Sequence, residues 1–383
     1  MIPYGKQQIS QDDIDSVVNV LKSDWLTQGP MVPKFEDALA NYCEAKHAVA
    51  VNSATSALHI ACLALELGEG DIAWTTPISF VASANCALYC GACVDFVDID
   101  LATGNMSALS LEKKLVAAKK SNSLPKVVIP VHLAGQPCDM RAIKKLADEY
   151  NFYLIEDASH AIGAKYKEQK VGVCQYSDIT IFSFHPVKII TSAEGGMALT
   201  NNIELAKRMQ LFRSHGITST PEEMTEPSHG PWYYQQVALG FNYRMTDIQA
   251  ALGLSQMKRL NDFVEKRNQL ANIYDIAFTQ DDFSPLKQST QCYSSYHLYI
   301  IQLNNSSAEG HKQVITQLRA AGIMAHVHYI PIHLQPFYAQ LGFKKGDYPQ
   351  AEQYYHSAIS LPLYPELSHE DQQYIIKKVR ELT

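Results

Sequence analysis

Apolar positions along the chain fall into short continuous runs that alternate with stretches of helical period. Ser10 followed by Asp13 is a capping pair and predicts a helix over 12–21, and a second helix follows the Gly29-Pro30 turn through Phe35, Leu39 and Tyr42. Beyond them the pattern predicts helices over 55–67, 80–89, 109–119 and 140–150. Strands are expected over 72–76, 94–99, 127–131 and 152–156, with two more near 179–184 and 196–200. Continuous apolar strands separated by helices mean a mainly parallel sheet covered on both faces. From Thr246 a long helical run through Leu252, Met257, Leu260 and Val264 leads into a smaller α+β unit, with a strand over 297–303 and a helix over 312–321. The expectation is an α/β protein of two domains, 1–255 and 256–383, without an internal repeat.

Composition narrows the function. The 383 residues are 46% hydrophobic, enough to bury a sizeable core, and 32 basic against 39 acidic residues leave a formal charge of −7. Without a basic block no nucleic-acid footprint is expected, and an anionic ligand must be held by local donors. Apolar runs stop well short of the roughly 18 residues a membrane span needs, and MIPYGKQQIS lacks the regions of a signal peptide, so a cytoplasmic protein is expected. The eight cysteines show no pairing pattern and read as reduced thiols that pack as small apolar residues.

In open parallel sheets ligands lie at the carboxyl ends of the strands, and four groups of residues stand there. Asn52-Ser53-Ala54-Thr55 follows an apolar run and leads into a helix, a place for a phosphate or simply a helix cap. Asp157, in IEDASH, is another cap or the partner of a protonated ring nitrogen, since a buried carboxylate needs a cation. Phe80 packs in the core or stacks on a planar ring. Lys188, in SFHPVKIIT after Ser183, either lays its stem on the surface or sits in a pocket, where desolvation leaves a nucleophilic amine. Taken together the four describe one cofactor. Pyridoxal 5'-phosphate needs a phosphate cradle, a carboxylate facing its ring nitrogen, a stacking partner and a lysine for the Schiff base.

Two other groupings compete. Cys86, Cys90 and Cys93 have the CxxxCxxC spacing of an iron–sulfur enzyme, but the predicted elements put the first two on a helix and the third at a strand, where they do not converge. His326, His328 and His333 lack accompanying cysteine or carboxylate ligands at metal-site spacing, so no metal is expected.

The chain resembles the sugar aminotransferases of the DegT/DnrJ/EryC1/StrS type, fold-type I pyridoxal phosphate enzymes. The resemblance runs nearly the whole length, through WLTQGPMVPKFE, NSATSALHIACLAL, TTPISFVASANCALYCGA, IEDASHAIGAKY, FSFHPVKIITSAEGGMALTN, LGFNYRMTDIQAALGLSQ and HVHYIPIHLQPFY. It implies Lys188 as the lysine that carries the cofactor, Asp157 as the ring-nitrogen partner and Phe80 as the stacking aromatic. Ala54, Thr55 and Ser183 would cradle the phosphate, His160 would lie near the phenolic oxygen, and Asn242 would reach the phosphate from a partner subunit, giving a homodimer with shared sites. It further implies L-glutamate as donor and a UDP-linked 4-keto-6-deoxy-N-acetylhexosamine as acceptor.

His185 is assigned a catalytic place beside the lysine. Arg213, His215 and Arg244, with His326 and His328, are the candidate diphosphate contacts, and Tyr4, Trp25 and Tyr329 a candidate aromatic wall. The resemblance has one break, at Ser192-Ala193, where relatives usually carry threonine and glycine before EGG. A dehydratase of the same fold would dispense with the lysine, and a non-catalytic cofactor-binding regulator would need a nucleic-acid module that the chain does not show.

Overall fold

The capping pair forms as expected. In the computed structural model, which describes residues 1–279, 283–304 and 307–383, the Ser10 hydroxyl accepts from the Asp13 backbone N–H, the Asp13 carboxylate accepts from that of Ser10, and α1 (Gln11–Leu21) begins. Helix α2 (Met31–Cys43) has no cap of its own. Asp247 supplies one, accepting from the N–H groups of Gly29 and Met31 at 2.7 Å each.

Seven strands make the main sheet: β1 (His47–Val51), β2 (Ile72–Thr75), β3 (Cys93–Phe96), β4 (Val127–Ile129), β5 (Tyr153–Asp157), β6 (Ile179–Ser183) and β7 (Gly196–Thr200). Their spatial order is β1-β7-β6-β5-β4-β2-β3. Pairs from β6 through β3 are parallel, and β7 runs antiparallel to both its neighbours. The sheet is therefore mainly parallel, and its strands are continuous apolar runs because both faces are covered. One face packs on α3 (Ala54–Ala64), α4 (Ala82–Tyr89) and α7 (Ile203–Arg213), and between α4 and α7 the chain forms α5 (Ala108–Ser121) and α6 (Met140–Tyr150). α5 and α6 enclose a separate cluster with Trp74, Val128 and Leu154. Opposite α3, Phe35 and Leu39 of α2 meet Phe182, Phe184 and Met197. Phe35 is fully buried with its ring 5.0 Å from that of Phe184, worth roughly 2–3 kcal/mol of stabilisation by area alone.

The pattern reading did not name β1 or α7. HAVAV is short and alanine-rich, with weak strand preference of its own, and it becomes a strand because β7 pairs along its whole length. The long run from Thr246 is two helices, α8 (Asp247–Met257) and α9 (Leu260–Ala277), broken at Lys258-Arg259.

A second, three-stranded antiparallel sheet joins Phe283–Pro285, Tyr299–Leu303 and Ala358–Leu361. Together with α9 and the helices Ala308–Ala320 and His369–Leu382 it encloses its own core. The chain's first residues belong to that core: Ile2 pairs with Ile323, and the Leu363 N–H donates to the Tyr4 carbonyl.

Candidate active site

Three strand ends meet at the head of one helix. Val51, Gly196 and Ser183 are cross-strand partners in β1, β7 and β6, and Asn52-Ser53 turns directly into α3. The Ser53 hydroxyl caps that helix, accepting from the Ser56 N–H at 3.1 Å, while the Ala57 N–H bonds the Ser53 carbonyl. Among the described residues the N–H groups of Ala54 and Thr55 have no acceptor. A side chain at position 196 would put its Cβ 2.5 Å from the Ala54 nitrogen, so only glycine lets β7 pass so close to the helix head. Two open N–H groups at a helix N-terminus, with the buried Ser183 at the end of the neighbouring β6, are the kind of donors that can receive a phosphate.

At the end of β5, Asp157 is buried and receives only neutral donors. Its Oδ2 accepts from the Ser83 hydroxyl at 2.6 Å, and its Oδ1 from the hydroxyl and N–H of Ser159 at 2.6 and 3.1 Å. Ser83 sits on α4, and its oxygen lies 2.7 Å from that of Ser79. Because the Ser83 proton is directed to Asp157, Ser79 donates to Ser83, giving a one-way chain that ends on the carboxylate. A carboxylate takes about four hydrogen bonds. Three are filled, and a buried anion with no cation bound to it accommodates a protonated ring nitrogen in the fourth place.

The loop between β6 and β7 returns on itself. The Phe184 carbonyl accepts from the Ser192 N–H and the Thr191 hydroxyl, and the Phe184 N–H donates to the Gly195 carbonyl. Lys188 lies within this loop. No side-chain hydrogen bond or ion pair of its ammonium occurs among the described residues, and burial lowers its pKa to about 8 against the opposing pull of Asp157. Half-buried and with its amine desolvated, Lys188 fits the pocket alternative better than the surface one. Ala193 holds a left-handed backbone, with φ of +67°, and its N–H is fixed by the Thr191 hydroxyl at 3.0 Å. Glycine adopts that conformation freely, and here alanine adopts it at a cost of about 1 kcal/mol.

Phe80, expected to stack, is 59% exposed, so its ring is open to a ligand and not used up in packing. The Tyr329 ring stands 6.5 Å from it, and the Ile332 N–H donates to the Pro77 carbonyl, which docks the 326–334 loop of the second unit on the strand end that carries Phe80. His160 is buried. Its Nδ1 accepts from the Ala134 N–H at 3.3 Å, and its Nε2 lies 3.0 Å from the Tyr329 hydroxyl. Burial, then the nearby Lys188 and His328, push its pKa well down, so the ring is neutral. His328 is likewise buried on the Ser360 hydroxyl, with its pKa lowered to about 3 by burial first.

Other expected contacts lie further out. Arg213 is not a free phosphate donor: it bonds Glu36 at 2.6 Å and the Ala50 carbonyl at 2.7 Å, tying α7 to α2 and β1. His215 is exposed in a left-handed turn. Asn242 and Arg244 lie along β1, where Asn52 donates to the Asn242 and Tyr243 carbonyls and Val51 bridges to Arg244; the Asn242 side chain is exposed. Trp25, His185 and His326 are exposed as well, and the Tyr4 ring packs 5.1 Å from that of His328. Cys86 lies within α4, Cys90 caps its C-terminus and Cys93 opens β3. Among the described residues no group of three histidine, cysteine or acidic side chains is placed to hold a metal ion.

Sequence reasoning missed Ser83, Ser159 and His297. Ser159 was legible as the second residue after Asp157, where a hydroxyl turns back on a carboxylate. Ser83 and His297 carry no local signal, because each reaches the site through tertiary packing.

The sequence profile of the DegT/DnrJ/EryC1/StrS aminotransferases matches residues 7–380. The chain belongs to that family. It is 40% identical over 376 residues, 98% of this chain and 96% of the relative, to the UDP-4-amino-4,6-dideoxy-N-acetyl-beta-L-altrosamine transaminase of Campylobacter jejuni. The solved structure of Helicobacter pylori PseC, an aminotransferase involved in the biosynthesis of pseudoaminic acid, matches with a TM-score of 0.92 at 36% identity, over 100% of this chain and 98% of that one. A putative sugar aminotransferase from Streptococcus pneumoniae, Spr1654, in its PLP form matches with a TM-score of 0.90 at 32% identity, over 100% and 98%. The protein is a pyridoxal phosphate-dependent aminotransferase with the fold-type I architecture. The open head of α3 and the unfilled position on Asp157 fit this cofactor at its phosphate and at its ring nitrogen. No described helix is long and apolar enough to cross a membrane.

Proposed function

We propose that the protein transfers the amino group of L-glutamate to C4 of a UDP-linked 4-keto-6-deoxy-N-acetylhexosamine, UDP-2-acetamido-2,6-dideoxy-β-L-arabino-hexos-4-ulose, in the making of pseudaminic acid. The observation that carries the reading is the half-buried Lys188, its amine desolvated and under the pull of Asp157, past the end of the strand next to the one that carries Asp157 and beside the open head of α3. Likeness to the C. jejuni and H. pylori proteins supports the substrate.

In this mechanism bound pyridoxal phosphate supplies an electron sink for the carbon that loses its proton. The Ala54 and Thr55 N–H groups and the Ser183 hydroxyl hold its phosphate, and Phe80 covers a ring face. Asp157 keeps the ring nitrogen protonated, its carboxylate held still by Ser83 and Ser159. Lys188 Nζ, neutral above about pH 8, binds the cofactor, then takes the proton from the α-carbon of the donor and returns it on the other side of the exchange. Two half-reactions on one site give ping-pong kinetics. His185, Tyr4, His326 and His328 border the acceptor end, Arg244 and His215 are the remaining local donors for its diphosphate, and the 326–334 loop of a smaller domain, 256–383, closes over it.

The protein acts as a homodimer in this reading, with Asn242 completing the partner's phosphate site. Trp25, Trp232, Tyr234 and Leu239 are exposed on one chain and support it. Sedimentation at assay concentration tests the assembly, and an active monomer would end this part of the proposal.

The acceptor is tested by offering the L-arabino and D-xylo keto sugars with L-glutamate and comparing kcat/KM. Preference for the L-arabino compound is expected. Preference for the D-xylo epimer would overturn the substrate, and failure of both would leave the aminotransferase class alone standing.

A further inference from the structure

The polar chain that ends on Tyr329 has a direction. Resting on the cofactor reading above, we infer that Tyr329 donates its hydroxyl proton into the Lys188–Asp157 pocket, and that His160 is the positioning residue that sets this direction. A backbone N–H can only donate, so the bond from Ala134 makes His160 Nδ1 an acceptor and leaves the ring proton on Nε2. That proton is then given to the Tyr329 oxygen, 3.0 Å away. With its oxygen already accepting from His160, the tyrosine must send its own hydrogen elsewhere, and no other acceptor for it occurs among the described residues.

The arrangement is held from outside. The Ser295 hydroxyl bonds the His160 carbonyl at 2.9 Å, and the His297 ring packs 4.4 Å from that of His160. The carbonyls of Tyr296 and His297 are fixed in turn by the fully buried Arg267, which also bonds the Leu363 carbonyl. The titratable groups that face the hydroxyl or its partner are Asp157, Lys188, His160, His297, His328, Tyr4 and Tyr354. Burial first, and then Asp157 and Tyr4, raise the Tyr329 pKa, so the phenol keeps its proton over the working range.

A donor aimed at a ligand favours the anionic form of whatever acid it faces. The readout is the pH midpoint of the visible absorbance of pyridoxal phosphate bound to the protein, without substrate. Tyr329→Phe, which keeps the ring, is expected to move that midpoint up by about one pH unit or more, the size of a hydrogen bond to a charged group. His160→Leu should move it equally, and the double variant should move it no further. His160→Gln, which places an N–H near the Nε2 position, should restore most of the wild-type value. The same midpoint in wild type and Tyr329→Phe, or shifts that add in the double variant, would overturn the inference. Absence of any cofactor absorbance in the wild type would instead sink the underlying cofactor reading, so the two failures are distinct.

Discussion

Around the buried Asp157 the contacts are redundant: two serine hydroxyls and a backbone N–H on one carboxylate, with a third serine behind them. Trp25, His185 and His326, proposed for the acceptor side, are exposed. The cofactor end must hold a rigid ring and a reacting carbon within tenths of an ångström, and fixed dipoles at strand ends do that without reorganisation. The acceptor end has to admit a large, mobile nucleotide sugar, and exposed loops from both sheet-bearing units serve it better. In the proposed reading one set of residues governs chemistry, and the other governs choice of substrate.

The largest effect that sharpens this contrast belongs to Asp157. Asp157→Asn is expected to lower kcat by about 10²–10³, since it leaves a buried ring cation without its counter-charge. Ser83→Ala, which removes one neutral donor, should cost about tenfold. Steady-state rates at saturating donor and acceptor measure both, and equal losses for the two would erase the ranking.

Acid separates the ends next. His160, His297 and His328 are buried in neutral form, each with its pKa lowered, first by burial. Below the ordinary histidine value the unfolded chain binds protons that the folded chain refuses, so stability must fall as pH falls. Between pH 6.5 and 5 the loss should be up to about 5 kcal/mol for the three together, read from urea midpoints. A flat profile over that interval would mean that these rings are solvated.

Arg213 tests the boundary between the regions. Because it ties α7 to Glu36 and Ala50, Arg213→Ala should cost about 1–3 kcal/mol of stability while KM for the nucleotide sugar changes less than about twofold. A tenfold rise in KM at unchanged stability would return it to the diphosphate site.

Ala193 gives the smallest effect. Relief of its left-handed backbone outweighs the added freedom of the unfolded chain, and Ala193→Gly should stabilise by about 0.5 kcal/mol. Calorimetry on the two proteins checks it, and a lower melting temperature for the glycine variant would contradict it.

The same contrast explains what could be read from the chain alone. The strands from β2 to β7 were legible as apolar runs, and the positions of Asp157, Ser183 and the head of α3 were legible as polar residues at their ends, which strand order brings together. β1 was not, since its alanines take strand form only from pairing with β7. Ser83 and His297 were not, for their partners lie on other elements. Arg213 was assigned to the diphosphate because arginine suits phosphate, and nothing local announces that Glu36 holds it. Side chains that meet by tertiary packing leave no trace in spacing.

The central claim is that Lys188 is the amine that carries the cofactor. Borohydride reduction of the pyridoxal phosphate-loaded enzyme, followed by proteolysis and mass spectrometry, tests it directly. The account expects the reduced cofactor on the peptide that contains Lys188, with no labelling in Lys188→Ala although the cofactor still binds at the head of α3. A label on any other lysine of the wild-type enzyme would contradict it.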